Sequence, residues 1–388
     1  MWRHIASNAL TFLIVALFLL AGVVTWGVNS YQAEGPLEEA ICLRVESGSN
    51  MRRVSENLAA QGAISSARLF RLGADYSEKT DQLKAGSFLV QPSASMADIV
   101  ELVTASGAST CGTQIVYTIG VARTVARVRE LDPVSGDFVE LTRFEPLEAE
   151  PPAEYLSAKE APDTEFNILV VEGTTVWQVI TSLNALDILV GEVEEFPPEG
   201  MLAPDQYEVS PGADVETLVA RMLSAQAQRL ANAWANRVDD LPIETPEEAL
   251  ILASIVEKET GGIDEVREVA SVFENRLRQG MRLQTDPTVI YGVTGGEGIL
   301  TRGLRQSELR AETPYNTYVI QGLPPTPIAN PGLASIEAVL NPAETDYIFF
   351  VAKTLDPADG HNFAVTLEEH NRNVAAYRAL EGQRDSAN

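Results

Sequence analysis

An α+β fold behind a single membrane-spanning helix is what this sequence predicts, and three observations predict it. No charged residue occurs between Ile5 and Val28. Short strands and capped helices follow in a first stretch from Cys42 and in a second from Phe166. The last third then carries amphipathic helices and, after them, an apolar strand. Mixed strands and helices held in separate modules give the α+β assignment.

From Leu10 the N-terminal run is apolar and long enough for a helix of ~20 residues, the span of a bilayer core. Residues 9–29 are assigned to this helix, 1–8 to a cytoplasmic tail and 30–41 to a linker. Arg3 precedes the span while Glu34, Glu38 and Glu39 follow it, so the positive-inside rule exports the remainder of the chain. A cleaved signal peptide is the rival reading. The stretch is long and lacks a clear small-x-small site, which favours a retained anchor.

Residues 42–112 read as one small α/β module: Leu43 to Val45 extended, Met51 to Gln61 and Ser66 to Ala74 helical, Gly86 to Val90 extended, Ser95 to Thr104 helical. Cys42 and Cys111 bracket it. A disulfide and two free thiols are both open readings, and neither residue lies where a nucleophile would be expected. Residues 113–165 form an insertion with a β segment, Phe138 to Phe144, and a Pro/Glu-rich stretch from Pro146 to Pro162 that reads as a mobile linker. A second α/β unit occupies 166–240, and 241–382 form the candidate catalytic domain.

The helix opening that domain has Thr245 as N-cap, Pro246 at its first position, Glu248 completing a capping box, and Gly261 and Gly262 ending the run. Glu259 lies in its last turn, seven residues after Leu252, four after Ile255 and three after Val256. Helical spacing therefore puts a carboxylate in the middle of the buried stripe, with Glu257 at the edge and Lys258 pointing away. Burial and the negative end of the helix dipole both disfavour ionisation, which would leave Glu259 protonated near neutral pH and able to act as a general acid. Pairing with a core arginine is the equally weighted alternative.

Val266, Val269, Ala270, Phe273 and Leu277 share one face of the next helix, about Glu265 to Gln279, with Asp264 as its cap. Arg276 flanks that face and either reaches a core carboxylate or binds substrate. Asp286, before Pro287, reads as an N-cap in preference to a second catalytic carboxylate. Tyr315, Asn316 and Tyr318 supply the rings and amide that a saccharide groove uses, and a packed loop would also accept them. Pro324, Pro325, Pro327 and Pro331 stiffen the next loop, with Asn330 as a helix cap. Tyr347 to Ala352 reads as a central strand, and a capping box from Thr366 to Glu369 starts a terminal helix through Ala379.

A formal net charge of -27 and an isoelectric point near 4.4 argue against nucleic acid or an anionic membrane surface as a partner. The histidines, His4, His361 and His370, lack metal-ligand spacing, and no glycine-rich phosphate loop occurs. Neither a metal nor another cofactor is expected.

Five separated segments carry a family likeness: SIVEKETG, ASVFENRLRQGMRLQTDPTVIYG, TPYNTY, QGLPPTPIANPG and GHNFAVTLEEHN. In this order they resemble the YceG-like endolytic murein transglycosylases, over roughly the last third of the chain. The segment from Glu199 to Tyr207 resembles that family's E-G-x-x-x-P-D-x-Y element, and residues 42–112 resemble its LysM-like module.

The resemblance implies a membrane-anchored lyase. It would cut N-acetylmuramic acid–N-acetylglucosamine bonds inside nascent peptidoglycan, leave 1,6-anhydromuramic ends and work beside peptidoglycan polymerases to limit strand length. Its catalytic glutamate falls on Glu259. The candidate substrate-binding residues are Asp205, Arg276, Gln284, Thr285, Asp286, Tyr315, Asn316 and Tyr318. His361 matches a motif residue that orders the cleft wall. The implied location is the inner membrane, with the N-terminus cytoplasmic and the catalytic domain periplasmic. A hydrolytic muramidase and a non-catalytic glycan-binding scaffold are the alternatives.

Overall fold

The computed structural model describes residues 2–46, 48–105, 110–161, 164–260 and 263–387. They belong to two compact units, one made of residues 1–115, 127–143 and 151–165, the other of 116–126, 144–150 and 166–388.

The first unit begins with helix α1 (Trp2–Gln32), longer at both ends than the expected span. Its 22-residue portion Thr11–Gln32 is long and apolar enough to cross a membrane, and none of its residues is fully buried by the protein. Then come β1 (Ile41–Val45), α2 (Met51–Ala60), α3 (Ala67–Tyr76), β2 (Gly86–Val90) and α4 (Met96–Thr104), in the order expected. Asn50, Ser66 and Ser95 cap the three helices, each side-chain oxygen accepting the backbone N–H three residues on. β1 and β2 pair antiparallel with Leu43 opposite Phe88. Leu43, Leu58, Phe70 and Ile99 close a fully buried core. Cys42 and Cys111 are joined as a disulfide, their Cα atoms 5.8 Å apart, so the free-thiol reading falls away.

The insertion is more ordered than its composition suggests. β3 (Thr113–Ile119) and β4 (Thr124–Leu131) precede β5 (Phe138–Phe144). Thr124, Ala126 and Val128 point inward at alternate positions of β4, a period-two signal readable in the sequence. The Pro/Glu-rich stretch is no mobile linker: it holds α5 (Ala153–Glu160), anchored by the buried ring of Tyr155. Pro162 lies outside the described residues.

The chain continues through β6 (Glu165–Val170), α6 (Val176–Ala185), β7 (Leu189–Val190), β8 (Gln206–Val209), β9 (Ala213–Asp214) and α7 (Val215–Ala235). One sheet has the order β5-β4-β3-β6-β8, with β6 and β8 antiparallel. After α7 the second unit is mainly helical: α8 (Pro246–Glu259), α9 (Val266–Arg278), α10 (Asp286–Thr294), α11 (Gln306–Leu309) and α12 (Leu333–Leu340). A two-stranded antiparallel hairpin of β10 (Phe349–Ala352) and β11 (His361–Ala364) and the helix α13 (Leu367–Ala387) complete it.

α8 is the axis of this unit. Eight successive residues, Ala249 to Val256, are buried, so the helix is covered all round and not along one stripe. α7, α9, α10 and α12 all pack on it. Thr245 caps its start, but the Glu248 carboxylate takes the N–H of Glu244 and not that of Thr245, so the expected capping box is incomplete. Gly261 and Gly262 lie outside the described residues; the helix closes with the Thr260 N–H and hydroxyl both donating to Val256 O.

Several local expectations are corrected. Asp264 sits in a short 3-10 turn, and the residue at the α9 N-cap is Glu265. Asn330 caps no helix: it is fully buried, its Oδ1 accepting from Leu202 N and its Nδ2 donating to Thr174 O. The expected central strand is shorter and pairs within a hairpin, because its one partner among the described residues is β11. The last helix runs to Ala387, well past Ala379.

Leu252 has no exposed surface. Leu252→Ala is expected to lower stability by about 2–5 kcal/mol, the range for truncating a close-packed leucine, read as a lower denaturation midpoint at unchanged slope.

Candidate active site

Glu259 emerges from the C-terminal turn of α8, and its surroundings are supplied by α9, by the turn leading into α10 and by the loop after α11. The residue keeps partial surface access. Burial of the carboxyl is the largest influence on it and, reinforced by the negative charge of Asp286, pushes its pKa up to about 7; the Thr285 hydroxyl and the positive charge of Arg276 pull the other way. The carboxyl is held near neutrality, and an arginine is nearby without forming a tight pair.

The Thr285 hydroxyl donates to Glu259 Oε1. Thr285 is aimed by a buried set of threonines: its N–H donates to Thr317 Oγ1 at 3.1 Å, and Thr288 Oγ1 lies 2.8 Å from both Thr285 O and Thr317 Oγ1. Gln284 precedes it with φ of +49°, a left-handed backbone that costs a non-glycine residue ~1 kcal/mol. This turn sends Thr285 inward and leaves the Gln284 side chain exposed. Among the described residues no hydrogen bond is made to Glu259 Oε2. Oε2 is thus the carboxyl oxygen left open to a ligand.

Asp286 is the first residue of α10 and not its cap. Its exposed carboxylate accepts from Tyr318 Oη at 2.7 Å, and burial and that negative partner raise the Tyr318 pKa. Arg276 is buried because its guanidinium finds carbonyls: Nε donates to Ile348 O at 2.7 Å and Nη1 to Leu283 O at 2.5 Å. It thus ties the loop before α10 to the segment entering β10. Neither a salt bridge with a core carboxylate nor an exposed sugar contact describes it.

The remaining expected binding residues divide. Asn316 is fully buried and spends its amide within its own loop, Nδ2 donating to Glu308 O and Ala311 O and Oδ1 accepting from Tyr318 N. It holds Tyr318 in place and does not face a groove. Tyr315 packs on Tyr291, ring centroids 5.0 Å apart, and shares a hydrogen bond with Thr326. Asp205 bonds Arg229 at 2.5 Å and has no bond to the Glu259 cluster.

Arg276, Thr285 and Asp286 from one family motif and Tyr318 from another thus act on the Glu259 carboxyl, and the YceG-like family profile matches residues 43–376. The chain belongs to the YceG-like family. An endolytic murein transglycosylase of Streptococcus pneumoniae (serotype 2, strain D39) is 26% identical over 392 residues, covering 96% of this chain and 66% of its own. The chain thus spans just under two thirds of that relative's length. The Bacillus subtilis (strain 168) protein of the same name is 26% identical over 363 residues, covering 92% of this chain and 91% of its own. A crystal structure of a protein described as yceG-like, from Listeria monocytogenes, covers 86% of this chain and 98% of its own at 24% identity, with a TM-score of 0.45.

Two further acidic residues of this YceG-like chain, Glu257 and Glu199, have structural partners. Glu257 Oε2 accepts from Gly332 N at 3.0 Å and Ser335 Oγ at 2.8 Å, so it caps α12. Glu199 Oε1 takes the N–H of Val176 at the start of α6, and its Oε2 accepts from Tyr291 Oη; burial raises its pKa. Lys258 does not point into solvent: Nζ donates to Gly173 O at 3.2 Å, and burial lowers its pKa. His361 bonds Glu265 through Nδ1 at 2.5 Å and through its backbone N–H at 2.8 Å, which fixes β11. Thr288, Thr317 and Tyr291 were not singled out from sequence. The Thr288–Thr317 and Tyr291–Glu199 bonds join residues distant in the chain.

A carboxyl with its pKa raised from 4.5 to about 7 keeps its proton longer in the folded chain than in the unfolded one. Its contribution to stability is full below the unfolded value and is lost as pH rises through about 7. Glu259→Gln is therefore expected to raise the thermal midpoint at about pH 8 and to change it little at about pH 4; an equal shift at both would contradict the raised pKa.

Proposed function

We propose that this chain is a membrane-anchored endolytic lytic transglycosylase, with Glu259 acting first as acid and then as base. The observation that carries the reading is the Glu259 carboxyl in the last turn of α8, on a residue with partial surface access, its pKa pushed by burial to about 7 and its bonding, among the described residues, through Oε1 alone. Oε2 delivers its proton to the glycosidic oxygen between N-acetylmuramic acid and N-acetylglucosamine as the C1–O bond breaks. The resulting carboxylate takes the proton of the C6 hydroxyl of the same muramic residue while that oxygen bonds to C1. Intramolecular attack carries an effective concentration of about 10⁵–10⁸ M, so neither water nor a second catalytic carboxylate is required.

In this reading Thr285 orients the acid, and Tyr318 with Asp286 and the exposed Gln284 line the sugar site. Arg276 braces the wall and biases the carboxyl by its charge. Tyr315, Asn316 and Asp205 act at one remove, by holding the supporting loops. Residues 42–112 serve as a LysM-like glycan-binding module, 113–165 as an insertion, 166–240 as a second α/β unit and 241–382 as the catalytic domain. α1 holds the chain in the inner membrane, residues 1–8 inside and the catalytic domain in the periplasm. Internal cuts in nascent strands made there, beside peptidoglycan polymerases, would terminate elongation.

One observation favours a second reading. Asp286 is exposed and close enough for its charge to act on Glu259, as the second carboxylate of a hydrolytic muramidase would be.

Mass spectrometry of products from purified glycan strands separates these readings. Wild type is expected to yield anhydromuramic ends and Glu259→Gln none. Reducing ends abolished by Asp286→Asn would establish hydrolysis, and binding without cleavage would establish a scaffold. The acid form must be present for turnover, so kcat/KM is expected to fall above about pH 7. Thr285→Val removes the hydrogen bond that favours the ionised carboxyl, so it should move that limb to higher pH. A limb left in place would show that Thr285 does not govern the acid.

A further inference from the structure

The first unit contains a recess of about 430 Å³ between α2 and α3, lined among others by Arg52, Arg68, Arg71, Leu72, Asp75 and Thr80. We propose that this recess binds the phosphate of an anionic phospholipid headgroup, seating the small module on the membrane surface. The assignment rests on the reading of α1 as a membrane anchor.

Position is the first support. α3 packs on α1. A Cβ at Gly27 would touch Leu69 Cδ1, and the Tyr31 ring covers Gly73 so closely that a Cβ there would collide with it. The paired positions are four residues apart in each helix, so α3 runs beside the last turns of α1, and Arg68 stands near the level of Trp26 and Gly27. Trp26 and Tyr31, with Asn29, Ser30 and Gln32 around them, are the residues of a membrane–water boundary. A helix rises 1.5 Å per residue, so Arg68 and Arg71 lie within a few ångströms of the end of the apolar segment, the depth of lipid phosphates.

Charge is the second. The chain carries a net -27, yet three arginines meet in this recess against a single lining carboxylate, Asp75, whose Oδ1 is already taken by Thr80 Oγ1 at 3.1 Å. Arg71 is fixed by donating Nη1 to Ser55 Oγ at 2.9 Å. Arg52 and Arg68 are exposed and make no ion pair among the described residues. Planar guanidinium groups around one concavity match a phosphate. Leu72, 58% exposed beside them, gives the same face an apolar contact for the glycerol and acyl boundary. Overall acidity therefore does not extend to the face that α1 brings to the bilayer.

The full chain, reconstituted in liposomes, is first floated to establish insertion through α1. It is then purified in detergent and titrated with phosphatidylglycerol or phosphatidylcholine, with retained lipid counted by native mass spectrometry. The expected result is preferential retention of phosphatidylglycerol, weakened about fivefold for each arginine removed in Arg52→Gln and Arg68→Gln at low salt. A nitroxide at Leu72→Cys should be shielded from an aqueous relaxation agent in phosphatidylglycerol bilayers. Flotation together with equal retention of the two lipids, or with the label fully in water, would overturn the headgroup site and leave the anchor standing. Failure to float would remove the anchor and this proposal with it.

Discussion

Burial of α8 around its whole circumference is the constraint on which the second unit depends. A helix flanked by α7, α9, α10 and α12 has few ways to shift, because displacement would open cavities around Leu252, Ile255 and Val256. The last turn of that helix carries Glu259. The same packing that fixes the carboxyl also withdraws it from water, so position and proton affinity have one cause.

Around this carboxyl, polar groups act in succession. The buried threonines at 285, 288 and 317 satisfy one another, which frees one hydroxyl to engage Glu259 from one side only. Arg276 spends its donors on backbone carbonyls and reaches Glu259 through charge. A direct ion pair would have stabilised the carboxylate and lowered its pKa. An arginine held off by its own backbone bonds moderates the acid without neutralising it.

The first unit meets a different demand. Its core is small, and the Cys42–Cys111 bridge closes a separation of 69 residues, which the chain-entropy account values at roughly 4 kcal/mol. With its two strands and three helices held in this way, the unit offers α3 as a rigid ledge alongside α1. The aromatic ring of Tyr31 over Gly73 requires a residue without a side chain at that point of α3.

The sequence by itself determined an N-terminal helix long and apolar enough to cross a membrane, the order of strands and helices from Ile41 to Thr104, and the placing of the Glu259 carboxylate in the last turn of a buried helix, because these follow from local hydropathy, caps and helical spacing. A period-two pattern in β4 was also present in the residues, though composition drew attention away from it. Tertiary structure alone decided that Asp286 faces Tyr318, that Asn316 and Asn330 turn inward, that Arg276 binds carbonyls and that Glu257 caps α12. Each of these side chains has a good local use as a cap, a groove amide or an ion pair. Which use prevails is set by whichever donor or acceptor the fold brings to it from far along the chain, and no local pattern encodes that partner.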